Sequence, residues 1–244
     1  MTLPALLLLA WAALMLPSLA LTIHDLRRRN AHLMPLMKLV WGLTVLYSGP
    51  LGLLIYWRTG RRQIPDDHDW RRAFRSVAHC YSGCGLGEII GVLIAVGLLG
   101  LGNTATAAIT FVLAYLLGFA LTVGPEVQGG TPLSTALRDA VKAETPSITV
   151  MEVVAIAVDL SLAGNAGMGE PIFWVSLVTS LTCGLLAAWP VNLWLIRHGV
   201  KEGMMDPRMT DHGHGHGADH GHGHGHGGHG AHGHHHDGSH HGSA

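Results

Sequence analysis

Six long apolar stretches dominate the chain, and each approaches the ~20 residues with which a helix crosses the hydrocarbon core of a membrane. They cover residues 3–23, 35–57, 76–101, 104–124, 146–164 and 171–196. Charged residues make up only 13% of the chain, whereas they make up about a quarter of an ordinary soluble domain. We therefore predict an all-α fold, a polytopic helical membrane bundle of about six transmembrane helices. A signal peptide is the other interpretation of the first stretch, but no basic residue precedes this long apolar run.

The positions of lysine and arginine orient the bundle and leave two span counts open. With six spans, 11 of the 15 basic residues share one side, and the positive-inside rule places both termini in the cytoplasm. The basic run at 27–29 conflicts with this arrangement, because it would have to be translocated. In a five-span alternative the second stretch enters and returns, broken at Gly49 and Pro50, and all 15 basic residues lie inside. Six spans are preferred, and both versions keep the C-terminus cytoplasmic.

The composition of the chain changes along its length and divides it into three parts. Residues 1–34 form an N-terminal transmembrane helix and a basic loop, and residues 35–203 form the main membrane domain. From residue 204 the apolar pattern ends, and we predict that 204–244 is a disordered tail rich in histidine and glycine. The net charge of −1 leaves no basic face for nucleic acid.

The tail carries the strongest chemical signal, since fourteen of the 19 histidines lie in it, mostly as His-Gly repeats. Neutral imidazole suits zinc, copper and nickel, and interleaved glycine lets the backbone fold several rings around one ion. An engineered tag and a pH-responsive polyelectrolyte are the alternatives, and we rank metal capture above both. The predicted ligands are His212, His214, His216, His220, His222, His224, His226, His229, His232, His234, His235, His236, His240 and His241.

A second group of candidate metal ligands opens the third predicted span. Cys80, Cys84 and Glu88 recur every four residues and therefore lie along one helix face, with His79 beside them. Soft sulfur favours Cu(I) or zinc. A stripe of small residues, at positions 83, 87 and 91, borders this face and is typical of close helix packing.

Acidic residues inside the fifth predicted span complete the candidate site. Glu152 and Asp159 are seven residues apart and share a helix face. Acids within a span are costly in lipid, so they usually face a bundle interior or a polar cavity. A structural pair of buried acids is the alternative. At about 1.5 Å per residue, Glu88, Asp159 and Cys183 come out near one layer of the membrane, provided that their helices are neighbours.

Three segments form a specific combination: VWGLTVLYSGP at 40–50, HCYSGCGLGE at 79–88, and PVNLWLI followed by GVKEGM at 190–204. Together they are similar to a bacterial membrane family catalogued as domain of unknown function 4396, over about residues 35–205. The resemblance implies a compact helical domain of several spans, with a suggested link to copper or other heavy metals. It assigns no catalytic residues, and the histidine tail lies outside it.

We expect a protein that handles transition-metal ions in the bacterial inner membrane, as a transporter or channel and not as an enzyme. The tail would collect copper, zinc or nickel at the cytoplasmic face, and the six candidate residues in the spans would carry the ion. A metal chaperone, sensor or assembly factor that binds without translocating is the alternative. Expected partners are lipid and metal ions, with a second copy or a metal enzyme as further candidates. A redox enzyme using Cys80 and Cys84 ranks last, because their spacing is not that of thiol oxidoreductases.

Overall fold

The computed structural model describes residues 2–128, 130–204 and 206–209, without the side chains of Pro125 and Gln128, and the regular secondary structure of this part of the chain is all helical. Its helices are α1 (Leu3–Arg28), α2 (Pro35–Ser48), α3 (Pro50–Thr59), α4 (Asp69–Val92), α5 (Asn103–Gln128), α6 (Leu133–Leu162) and α7 (Pro171–Arg197). The predicted all-α class is confirmed. The histidine tail from His212 lies outside the described residues, so metal binding by it stays a prediction.

Five of these helices are long and apolar enough to cross a membrane: α1, α4 with its π-helical continuation Leu93–Leu98, α5 over Asn103–Gly124, α6 and α7. The second apolar stretch is different, because it breaks into α2 and α3 at Gly49, whose φ is +55°. Glycine adopts this conformation without steric cost, and Pro50 can begin a helix because its missing N–H would have no partner there. The structure therefore has the five-span arrangement and not the preferred six.

Buried polar contacts show that α2 and α3 form a hairpin whose two open ends meet the end of α1. Asp25, near the end of α1, accepts hydrogen bonds of 2.8 Å from Tyr56 and from Asn30, and it pairs with Arg61 at 3.1 Å. The Asn30 side chain in turn accepts a hydrogen bond of 2.8 Å from the backbone N–H of Arg62. Because the end of α1 and the end of α3 meet here, α2 enters the bundle and α3 returns to the same end.

The tip of this hairpin lies partway along α1. A Cβ atom on Gly49 would lie 3.5 Å from Nε1 of Trp11 and 3.6 Å from Cβ of Met15. Residues 15–28 of α1 rise by about 20 Å, so the hairpin reaches about two thirds of the way through a hydrocarbon core of about 30 Å. With this topology all 15 lysine and arginine residues lie toward one end of the bundle, which we call the basic end. The opposite end is called the far end.

The glycine stripe of α4 brings its backbone into direct contact with α5. A Cβ atom would lie 2.8 Å from the Leu117 carbonyl oxygen at Gly83 and 2.5 Å from the Leu113 carbonyl oxygen at Gly87. At Gly91 it would lie 2.9 Å from Thr110. The expected packing role of these glycines is thus confirmed. Helix α4 also packs against α2 and α7, so it occupies the centre of the bundle.

We expect Gly87→Ala to destabilise the protein, because the added methyl group forces α4 and α5 apart, and overpacking costs about 1–3 kcal/mol. The matched control is Gly42→Ala in α2, where nothing lies within 4 Å of the added Cβ and alanine favours the helix by about 1 kcal/mol. Thermal unfolding in detergent should show a lower midpoint for Gly87→Ala alone. Equal midpoints for the two variants would contradict this view of the interface.

Candidate functional site

A cavity of about 270 Å³ lies at the far end of the bundle, between α4, α5 and α6. Two of the predicted site residues, Glu88 and Asp159, line it, and so do residues of the loops that follow α4 and α6. Asp159 accepts a hydrogen bond of 2.7 Å from Ser176. Glu88 is only 5% exposed, and its Oε2 atom has no hydrogen-bond partner among the described residues. The expected meeting of these two acids is therefore present, whereas Cys183 is not one of the lining residues.

The mouth of this cavity is formed by irregular backbone. The side chain of Asn103 donates hydrogen bonds to the carbonyl oxygen of Gly164, at 2.7 Å, and to the side chain of Asn165, at 2.9 Å, which ties the two far-end loops together. The π-helical segment Leu93–Leu98 contributes Val96 to the wall. Long π-helical segments are rare and often occur at functional sites.

Glu152 and Cys84 continue the polar surface from the cavity into the bundle. Glu152 is 2% exposed, and its Oε2 atom has no hydrogen-bond partner within the described ranges. It lies close enough to Cys84 and to Glu88 for these groups to interact electrostatically. The Cys84 sulfur lies 3.0 Å from the position of a Cβ on Gly118, so it sits where α4 meets α5. Two predicted acids and one predicted thiol are thus neighbours.

Closer to the basic end the next polar groups are Cys80 and Ser147, which are 3.8 Å apart. Ser147 accepts a hydrogen bond from the side-chain amide of Asn192, and that amide's oxygen accepts one of 3.2 Å from Ser76. The ammonium group of Lys201 contacts the same oxygen at 3.0 Å and the Glu144 carboxylate at 2.7 Å. Helices α4, α6 and α7 each contribute to this cluster.

These side chains follow one another through the bundle, and we call the series the polar line; Asp159 is partly buried and the other members are buried. From the far end to the basic end it consists of Asp159, Glu88, Glu152, Cys84, Cys80, Ser147, Asn192 and Glu144. Sequence analysis missed Asn192 and Glu144. Asn192, a polar residue within the apolar run of α7, is the signal that could have indicated them.

A second cavity, of about 500 Å³, lies at the basic end next to Glu144 and Lys201. Its other charged lining residues are Glu126, Asp139, Lys142 and Glu202, so acids outnumber bases in its wall. Burial, with the nearby carboxylates of Asp139 and Glu144, raises the pKa of Glu126. This cavity therefore has more acidic than basic side chains in its wall, although it lies at the end of the protein where the basic residues are concentrated.

The predicted thiol and imidazole ligands are not gathered around one point. The Nε2 atom of His79 lies 3.1 Å from the Leu121 carbonyl oxygen on α5, whereas Cys80 contacts Ser147 on α6. Among the described residues, no group of three or more histidine, cysteine, aspartate and glutamate side chains lies close enough to hold a metal ion together. The candidate ligands are spread along the bundle one after another, and they do not surround a single point. Metal binding by these residues stays a prediction.

Comparison with protein families matches residues 69–201 to the family described as domain of unknown function (DUF4396). The match covers more than half of the chain, from α4 to the segment after α7, and it includes every residue of the polar line. The family match begins later than the resemblance seen in the sequence, which covers residues 35–205, because the match leaves out the hairpin of α2 and α3. Comparisons with curated proteins and with solved structures returned no match.

We expect the far-end cavity to admit water-soluble reagents, since exposed loops form its mouth. Thr106 lines the cavity and is partly exposed, whereas Val112 on the same helix is 54% exposed and does not line it. In a Cys183→Ser background, Thr106→Cys should react with a charged methanethiosulfonate reagent and Val112→Cys should not, because a thiolate does not form in hydrocarbon. The native Cys80 and Cys84 are buried and should stay unmodified.

Mass spectrometry of the labelled protein measures the outcome. An unreactive Thr106→Cys, or equal reaction at both positions, would show that water does not reach this cavity selectively.

Proposed function

The chain belongs to the DUF4396 family, and we propose that it is an integral membrane protein that transports transition-metal ions, with copper, zinc and nickel as candidates. One observation carries the proposal: a buried polar line joins two acid-lined cavities at opposite ends of a bundle of membrane-spanning helices. A structural core needs no such line. Ionisable groups inside membrane proteins are costly and mark ion or proton pathways.

The acids of the polar line supply the driving chemistry. The Oε2 atoms of Glu88 and Glu152 are buried without hydrogen-bond partners among the described residues, and a passing cation would provide the missing interaction. A buried carboxyl group can hold a proton before the ion arrives and release it when the ion binds. Metal ions and protons would then move in opposite directions through the same residues.

The thiols give the path its preference among cations. Cys80 and Cys84 stand between carboxylates of the two cavities, so every ion on the path passes two sulfur atoms. Thiolate ligands favour Cu(I) and zinc, whereas magnesium and calcium prefer oxygen. The ligands at the two ends, by contrast, are oxygen atoms from carboxylates, an amide and a hydroxyl group.

We place the basic end in the cytoplasm and the protein in the bacterial inner membrane, following the positive-inside rule. The chain leaves α7 at the basic end, so the histidine tail starts on the cytoplasmic side. Its fourteen histidines would raise the local metal concentration on that side of the membrane. A collecting tail on this side favours export or buffering over uptake.

A metal chaperone, sensor or assembly factor is the second candidate, and one observation favours it. The ammonium group of Lys201 forms an ion pair with the Glu144 carboxylate at 2.7 Å, so a cation of the protein itself closes the basic end of the polar line. A protein that only holds metal on its tail needs no open path. In that case the buried acids would serve packing and stability.

Flux into proteoliposomes separates the two functions. The full chain should move at least one of Cu(I), Zn(II), Ni(II) and Co(II), measured with a metal-sensitive dye inside the vesicles. Glu88→Gln should lower that flux at least tenfold, because the amide keeps the size of the side chain and removes its charge. The control Glu170→Gln changes an exposed acid that does not line the far-end cavity, and it should leave the flux unchanged.

Both variants keep all tail histidines, so binding by the tail cannot produce a difference between them. Absence of flux for every ion, with metal still bound, would contradict transport and support the chaperone or sensor. Flux that Glu88→Gln does not change would place the path elsewhere.

A further inference from the structure

Four of the nine methionines come together at the basic end, around a small cavity that the polar line does not use. The cavity has a volume of about 60 Å³, and Met34, Met37, Met204 and Met209 line it together with His32. Two segments that are about 170 residues apart in sequence supply these side chains. One segment runs from the loop after α1 into the first turn of α2, and the other follows α7.

Specific contacts hold the second segment against the first, against α4 and against the loop before α4. The Nε2 atom of His32 lies 2.8 Å from the carbonyl oxygen of Pro207, and Arg75 donates a hydrogen bond of 3.2 Å to the carbonyl oxygen of Met204. Arg208 donates one of 3.2 Å to the carbonyl oxygen of Pro65. The methionines therefore meet at a defined place in the fold.

Core packing explains only part of this cluster. Met37 is buried, but Met34 is 37% exposed and Met209 is 67% exposed. Both lie at the end of the bundle where charged residues are concentrated. Because these side chains stay exposed there, burial of their apolar surface contributes little free energy. Thioether sulfur is also a soft metal ligand, and this second property accounts for methionine in exposed positions around a cavity.

The charged side chains near the cavity are paired with one another. Asp67 pairs with Arg75 at 2.5 Å and with Arg72 at 2.8 Å, and Arg208 pairs with Asp206 at 2.6 Å. The donors that remain are neutral sulfur and nitrogen atoms. Hard divalent ions need charged oxygen ligands, whereas neutral thioethers suit a soft monovalent ion.

We propose that Met34, Met37, Met204 and Met209, with His32, form a binding site for Cu(I). The imidazole can donate a hydrogen bond to Pro207 through Nε2 and keep Nδ1 as a ligand. Met209 stands three residues before His212, the first histidine of the tail. The site therefore selects copper where the chain enters a tail that accepts several metals. The proposal goes beyond the transport function and does not depend on it.

Carbon-13 NMR of methionine methyl groups tests the site in the full chain, in detergent. Titration with Cu(I), under reducing and anaerobic conditions, should shift the methyl signals of Met34, Met37, Met204 and Met209, assigned by single Met→Leu variants. Met151, inside the bundle, and Met168, at the far end, should not shift and serve as controls in the same spectrum. Zn(II) should leave all of these signals in place. The tail histidines contribute no methyl signal, so their own metal binding does not obscure the result.

A variant with all four methionines replaced by leucine, which conserves apolar volume, should bind one Cu(I) ion fewer per chain than the unsubstituted protein. Met151→Leu should bind the same number. Unshifted methyl signals at saturating Cu(I), or equal shifts at the control methionines, would overturn the proposal. The NMR result is read on the unsubstituted chain, and it is separate from the flux result, so either proposal can fail alone.

Discussion

The contact between the backbones of α4 and α5 determines the rest of the structure. Without side chains at Gly83 and Gly87, α4 approaches α5 until main-chain atoms touch. The next stripe on α4 carries the thiols and Glu88, and it turns into the space between α5 and α6 as a result. A larger residue in the glycine stripe would push this polar face away from Glu152. Small residues thus set the geometry in which the polar ones meet.

The polar line and the methionine cluster offer different kinds of side chain. The polar line consists of carboxylates, thiols and amides inside the bundle, and it ends at the ion pair of Glu144 and Lys201. The methionine cluster lies at the surface, where the chain leaves α7 for the tail. An ion captured by imidazole would meet soft neutral ligands first and charged ligands afterwards.

Much of this arrangement follows from the sequence because it depends on local spacing. Helical periodicity placed the thiols beside the glycine stripe, and the rise per residue placed Glu88 and Asp159 at one depth. The hairpin was harder to predict, because hydropathy does not detect a turn inside an apolar run. Its signals were Gly49 with Pro50 and the basic run at 27–29.

Contacts between distant segments could not be predicted from spacing. The pair of Glu144 and Lys201 and the meeting of Met34 with Met204 depend on which helices are neighbours, and a single sequence does not encode this visibly. The same holds for His79, which faces α5 while Cys80 faces α6.

The hairpin of α2 and α3 has a further consequence for the surrounding bilayer. Because it turns back about two thirds of the way across, the described bundle has seven helical segments toward the basic end and five in the third of the membrane next to the far end. Protein thus takes up more area in one leaflet than in its counterpart. Lipid packing that differs between the leaflets therefore acts on unequal cross-sections of the bundle, and α2 and α3 make the difference.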